Sequence, residues 1–302
     1  MPETTWGGPR TAARPAGPAA LRLSRPTARA FPGRRPARLA GTELRFMTDF
    51  LASFGEEPDH ERHARGGGNS FTDMARELLD GLEHPLPPLD RLVLAYHLPD
   101  LSVVEVAGCY LAERCPGGPE VFSVAGQGVG APFTALRILA GLRRTGGLAE
   151  GAVLVLDQST LPYADPDTRP GDDCAVLVHT AGPDAEAAGP AGEGTTGEGT
   201  APGDAELDFV TERSVDPNTA LGELARQVPG VRIVAGRMLA DRLDPALRAS
   251  CDLVEGAADR LCTSAWAALA EHWTPDRYTV IADYDPHSGR LFQAGLRPGA
   301  AA

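Results

Sequence analysis

Residues 121–145 read VFSVAGQGVGAPFTALRILAGLRRT, a short apolar strand, a glycine-rich turn and an amphipathic helix. Such a turn presents its side chains at a helix N-terminus, where unpaired backbone N–H groups and the helix dipole favour negative charge. A reactive nucleophile or a phosphate group is the usual occupant. Between Gly126 and Pro132, however, there is no Cys, Ser, Lys or His, and Gln127 is the one side chain with functional chemistry. The stretch has the form of a nucleophile's seat without the nucleophile.

Around this stretch, strands and helices alternate in two successive rounds. The first contains SFTDMARELLDGL (70–82), a helix opened by an S-x-x-D cap, then strand 89–97, helix 101–113, strand 120–125, helix 130–144 and strands 151–157 and 174–180. The second contains strand 207–214, helix 217–227, strand 231–236, short helices, helix 263–273 and strands 278–285 and 290–296. The apolar runs LVLA, AVLVL, AVLV and TVIA are nearly continuous, as strands covered on both faces should be. An α/β fold of two related halves follows, spanning 47–180 and 207–298, with a cleft where the halves meet.

Two segments fall outside this pattern. Residues 1–46 are rich in Arg, Pro, Ala and Gly without apolar periodicity, and are expected to be disordered. They read as a basic arm or targeting peptide, or as residues upstream of a true start at Met47. Residues 181–206 (AGPDAEAAGPAGEGTTGEGTAPGDAE) form a low-complexity insertion between the halves.

Composition narrows the function. Of 302 residues, 42% are hydrophobic, ample for a core. Lys is absent, which excludes a Schiff-base or P-loop lysine. The net charge is −13, and residues 1–46 hold nine Arg against Glu3 and Glu43, so the remainder is more acidic still. That body argues against nucleic acid as a partner. The five Cys form no CxxC pair and are odd in number, which points to a reducing cytoplasm and to neither a disulfide framework nor a zinc site. No cofactor is expected, and no apolar run is long enough to span a membrane.

Taken together, these stretches resemble the thiolase superfamily, and within it the type III ketoacyl synthases that condense an acyl thioester with a malonyl carrier. LDRLVLAYHLPDLSV (89–103) resembles the family's strand entering its Thr-Pro-Asp turn. Residues 121–139 are similar to the nucleophile elbow and buried helix, GDDCAVLV (171–178) to the Gly-Asp-Gly strand, and LCTSAWAALAEHW (261–273) to the Gly-Asn-Thr-Ser helix. IADYDPHSGRLFQAGLR (281–297) resembles the closing hairpin. The resemblance implies a duplicated α-β-α-β-α layered fold. The 42 residues between Met47 and Leu89 are too few for the family's opening strand, so the first half is expected to be shortened.

In that family a Cys, a His and an Asn do the chemistry. The Cys position falls here on Gln127 or Gly128, the His region on Ala235 and Gly236 of VRIVAGRML (231–239), and the Asn position on Cys262. All three are substituted. The resemblance therefore implies a degenerate ketosynthase-like subunit paired with an active homologue, or a homodimer, with an acyl carrier protein or acyl-CoA as further partners. The alternative is an acyltransferase or condensing enzyme that uses Cys262 as a relocated nucleophile, its thiolate favoured by the helix dipole, with His97 as base. A third reading has the Gln127 site decarboxylate a malonyl carrier.

Each candidate also has a structural reading. Gln127, with Gly128 and Gly130, either fills an acyl-binding site or serves the turn. Cys262 is either reactive or a small buried hydrophobe. His97, at a strand end, either faces the cleft or packs. Cys109 is expected in the core and Cys115 at a surface turn. PDHERH (58–63) is expected to be a solvated loop, since its two His miss the HExxH spacing. DPHSG (285–289) reads as a hairpin turn. Asp172 and Asp173 read as turn residues before a buried strand.

Overall fold

The computed structural model describes residues 20–32, 35, 38–103, 105–164, 173–182 and 203–299. The first half contains β1 (Arg22–Leu23), β2 (Thr27–Phe31), α1 (Gly41–Ala52), α2 (His60–Arg65), α3 (Phe71–Asp80), β3 (Arg91–Tyr96), α4 (Ala107–Arg114), β4 (Glu120–Val124), α5 (Ala131–Arg144), β5 (Glu150–Asp157) and β6 (Asp173–Ala181). The second contains β7 (Ala205–Arg213), α6 (Pro217–Gln227), β8 (Arg232–Ala235), α7 (Arg237–Ala240), α8 (Pro245–Ser250), β9 (Asp252–Glu255), α9 (Thr263–Glu271), β10 (Thr279–Asp285) and β11 (Arg290–Pro298).

Strand order exposes a duplication. The path runs β4-β3-β5-β6-β1-β7-β11-β10-β8-β9, with β2 also on β6. In the first half β3 is parallel to β4 and β5, while β6 is antiparallel to β5 and to β2. In the second, β8 is parallel to β9 and β10, while β11 is antiparallel to β10 and β7. Each half is thus the same five-position sheet, and the two are related by a pseudo-twofold.

Helices α5 and α9 follow the outermost strands, β4 and β9, and both lie in the middle layer. Phe133 of α5 meets Trp266 of α9 with ring centroids 5.3 Å apart, and Phe292 of β11 at 5.9 Å. From Thr263 to Ala270 every residue of α9 is buried, as a helix apolar on all sides must be. Outside the first sheet, α3 and α4 pack Met74, Leu78 and Leu111 onto Leu92 and Leu154. Outside the second, Leu221, Leu224 and Leu239 cover Ile233 and Val280. The strands are therefore covered on both faces: in β5, Val153 and Val155 join the middle core while Leu154 and Leu156 join the outer one. The S-x-x-D cap is in place, with Ser70 Oγ accepting the Asp73 N–H at 3.1 Å.

The amino-terminal segment corrects the sequence reading. Residues 20–31, expected to be disordered, supply the opening strand of the first half, split into β1 and β2 along the edge of β6. Residues 41–46 begin α1, and Met47, the expected start, lies inside that helix with 5% exposure. Strand pairing supplies ordering energy that this Arg- and Pro-rich composition could not supply by burial, since few of its described side chains, Leu21, Leu23, Pro26, Phe31 and Leu39, enter the interior. The opening strand, for which the span from Met47 to Leu89 leaves no room, lies upstream. Residues 1–19 and most of 181–206 lie outside the described residues. PDHERH is corrected as well: His60–Arg65 form a helix, capped by Asp59, with His63 at 3% exposure.

Leu23 is fully buried where the two half-sheets join. Leu23→Ala should cost about 2–5 kcal/mol, read as a lower midpoint in chemical denaturation. An unchanged midpoint would show that β1 is dispensable.

Candidate functional site

The elbow forms as its glycines allow. Gly126 and Gly128 take φ of 69° and 53°, which turns the chain between β4 and a single 3-10 turn (Gly128–Gly130) leading into α5. Gln127 is exposed, and its Oε1 accepts the Thr134 hydroxyl at 2.5 Å. Its carbonyl oxygen is tied to a side chain on the helix it precedes, not to the local backbone. Gly130 is buried against Phe292, whose ring would lie 2.4 Å from an added Cβ. The absence of a side chain there serves packing.

Cys262 sits at the head of α9, the pseudo-symmetric counterpart of the elbow helix. Its thiol donates to the Gly128 carbonyl at 3.4 Å, and the backbone N–H of His97 reaches the sulfur. The end of β3, the elbow and α9 converge on this sulfur through the main chain of His97 and Gly128. The activation expected of Cys262 is absent for a specific reason. Asp157, at the end of β5, accepts the N–H groups of Leu261, Cys262 and Thr263 at 2.8–3.0 Å and the Thr263 hydroxyl at 2.6 Å. Its carboxylate occupies the anion site that the helix would offer a thiolate. Burial, then the charges of Asp157 and Asp283, push the Cys262 thiol well above its ordinary range. The expectation of a dipole-stabilised thiolate is corrected.

At Gly236, one of the two positions where the family's His region was expected to fall, the space is filled from the neighbouring strand β10. Gly236 follows β8, and an added Cβ there would lie 1.9 Å from Asp283 Oδ2. No imidazole can stand at 236 while Asp283 keeps its place. Asp283 Oδ1 accepts the N–H of Leu239 at 3.0 Å and of Tyr284 at 2.9 Å. Burial pushes its carboxyl up to about 7, opposed by those bonds and by Arg237 and reinforced by Asp157. A third carboxylate, Asp285, lies against Gly128 and accepts the His287 N–H at 3.0 Å and the Ser288 hydroxyl at 2.6 Å, closing the hairpin expected of DPHSG.

Other candidates separate cleanly. Asp173 is a buried hub at the start of β6 that holds Asn69 Nδ2 at 2.8 Å and the Ser159 N–H and hydroxyl at 2.7 Å; Asp172 lies outside the described residues. Asp100 accepts the N–H groups of Phe71 and Ser102, and burial pushes it up to about 6. Cys109, expected in the core, is exposed, and Cys115, expected at the surface, is buried. Cys109 lies on the exposed face of α4, and Cys115, the residue that ends that helix before Pro116, turns inward. Among the described residues no group of His, Cys, Asp and Glu side chains converges as metal ligands would, and no helix is long and apolar enough to cross a membrane. Sequence reasoning missed Asp157 and Asp283, whose one signal was a carboxylate at or near the end of an otherwise apolar run in GAVLVLD and TVIADYD.

No family model and no curated relative matches the sequence. Solved structures do match the fold. The tetronic acid condensing enzyme AbyA1 is 14% identical with a TM-score of 0.58, covering 92% of this chain and 99% of that one. 3-Oxoacyl-(acyl carrier protein) synthase III from Xanthomonas oryzae pv. oryzae is 12% identical with a TM-score of 0.53, covering 92% and 98%. OleA from Xanthomonas campestris is 13% identical with a TM-score of 0.53 over the same shares. The chain has the thiolase-like fold of the type III ketoacyl synthases.

Two measurements check the site. In the folded protein at pH 8, iodoacetamide should alkylate Cys109 and leave Cys262 unlabelled until denaturant is added, by peptide mass spectrometry; prompt labelling of Cys262 would contradict its burial. Folded Asp283 keeps its proton up to pH about 7, whereas the unfolded chain releases it near 3.8, so its contribution to stability falls as pH rises through that window. Asp283→Asn should flatten this part of the stability–pH curve, a slope of at most about 1.4 kcal/mol per pH unit.

Proposed function

We propose that this chain is a degenerate, non-catalytic ketosynthase-like subunit that pairs with an active, Cys-bearing homologue in bacterial fatty-acyl, polyketide or specialised-metabolite synthesis. One observation carries the reading: the anion site at the head of α9 is occupied by the protein's own carboxylate, Asp157. A condensation develops negative charge on a thioester oxygen, and catalysts of this kind aim donors at that charge. Here the donors at the head of α9 are taken by Asp157, while Asp283 and Asp285 stand against Gly236 and Gly128. Gln127 offers no group that an acyl chain could be transferred to.

A pairing surface is at hand beside the elbow. Among the described residues β4 pairs only with β3, so its outer edge carries free backbone donors and acceptors onto which a partner's strand could add. A homodimer through the same edge is the simpler form of that assembly. An acyl carrier protein would then dock on the active partner, and the cytoplasm is the compartment in which such a pair would work.

Incubation with acetyl-CoA and octanoyl-CoA, followed by intact-mass and peptide mass spectrometry, tests the reading. No adduct, no carbon dioxide from malonyl carrier protein, and stoichiometric co-purification with a ketosynthase bearing intact Cys, His and Asn are the expected results. An acyl adduct on Cys262 would overturn it in favour of the acyltransferase.

A further inference from the structure

Ser24, in the link between β1 and β2, is bound twice to His179 of β6. Its N–H donates to the His179 carbonyl at 3.2 Å, and its hydroxyl lies 3.3 Å from His179 Nδ1. On the other side of the ring, His179 Nε2 lies 2.7 Å from Glu150 Oε2 at the start of β5. An ionised carboxylate can only accept, so Glu150 draws the ring proton to Nε2 and leaves the Nδ1 lone pair facing the Ser24 hydroxyl. The His179 and Glu150 side chains are 18% and 16% exposed, so their contact is largely shielded from water. Hydroxyl, imidazole and carboxylate thus stand in the order of a nucleophile, its base and the group that orients the base.

A contact between neighbouring strands would explain Glu150 and His179 alone, but Ser24 and His179 also line a cavity of about 830 Å³ beside β2, α9 and the 81–87 loop. This is within the size range of small-molecule sites. Leu86, Leu177 and Ala267 supply apolar wall, and the lining charges offset one another, Arg25 and Arg260 against Glu83 and Glu271. Such a lining suits a neutral substrate with a short apolar group. We infer that Ser24, His179 and Glu150 form a hydrolytic site for small carboxylic esters. Ser24 Oγ bonds to the ester carbonyl carbon while its proton passes to His179 Nδ1, and Glu150 holds the imidazolium that forms. Arg25, adjoining Ser24 on the same wall, is the donor at hand for the carbonyl oxygen as it becomes negative. The ester C–O bond then breaks, and the leaving alcohol takes the proton from His179. Water attacks the acyl-serine with His179 again as base, which releases the carboxylic acid and restores the Ser24 hydroxyl. Glu150 begins β5 and Asp157 ends it, so this site and the head of α9 lie at opposite ends of that strand. The inference stands whether or not the chain is a ketosynthase partner.

Hydrolysis of p-nitrophenyl butyrate by the full chain, with labelling by a fluorophosphonate probe and peptide mass spectrometry, tests this. Saturable hydrolysis and a phosphonyl adduct on Ser24 are expected. Ser24→Ala should remove the adduct, and both it and His179→Gln should lower kcat about a hundredfold or more. Should His179→Gln not fold, judged by its thermal midpoint, Ser24→Ala carries the test, since it removes only one half-buried oxygen. Glu150 acts through His179 and is a positioning residue, so Glu150→Gln should lower kcat about tenfold or more with KM unchanged. Absence of saturable hydrolysis, hydrolysis that persists in Ser24→Ala, labelling only at other residues, or an unaltered kcat in Glu150→Gln would each overturn the assignment. None of these results bears on the subunit reading, whose contrary adduct is on Cys262.

Discussion

The Asp157 carboxylate is the contact on which the centre of this molecule depends. It leaves the end of β5 in the first half and collects three backbone amides and a hydroxyl at the head of α9 in the second. Capping in this way satisfies N–H groups that a fully buried helix would otherwise leave without acceptors. It also joins the two halves at the point where their pseudo-twofold brings both helix heads together. The aromatic contact of Phe133 with Trp266 completes the join along the same two helices.

That contact has an electrostatic consequence. A helix N-terminus can serve one anion well, and here the anion is built in. A Cys placed next to it gains a neighbouring negative charge instead of a stabilising dipole, and burial adds to the effect. Asp283 extends the same logic to the position after β8, where its oxygen fills the volume that a side chain at 236 would need. The fold is that of the type III ketoacyl synthases, and buried carboxyl groups stand at both of these positions.

The order of elements was legible because buried parallel strands and all-apolar helices leave continuous runs in the sequence. GAVLVLD and TVIADYD are strands for that reason, and TSAWAALAEHW is a buried helix. Strands β1 and β2 were illegible because short edge strands bury few side chains and draw their order from pairing to β6. The short strand β9 was missed for the same reason, since its residues are only half buried. Cys109 was misplaced because a helix face cannot be phased without knowing what it packs against, and Cys115 because a residue before a proline turn can still point inward.

The sequence by itself determined that the glycine-rich turn before α5 holds no Cys, Ser, Lys or His, and that strands and helices alternate in two similar rounds. Those are statements about residue identity and period, which need no coordinates. Only the tertiary structure decided what fills the centre. Asp157 is 104 residues from the Leu261 amide it holds, and Asp283 is 44 from that of Leu239. Contacts of such separation are fixed by how the two sheets stack, and nothing in the local pattern of either strand reports which helix head its last carboxylate will face.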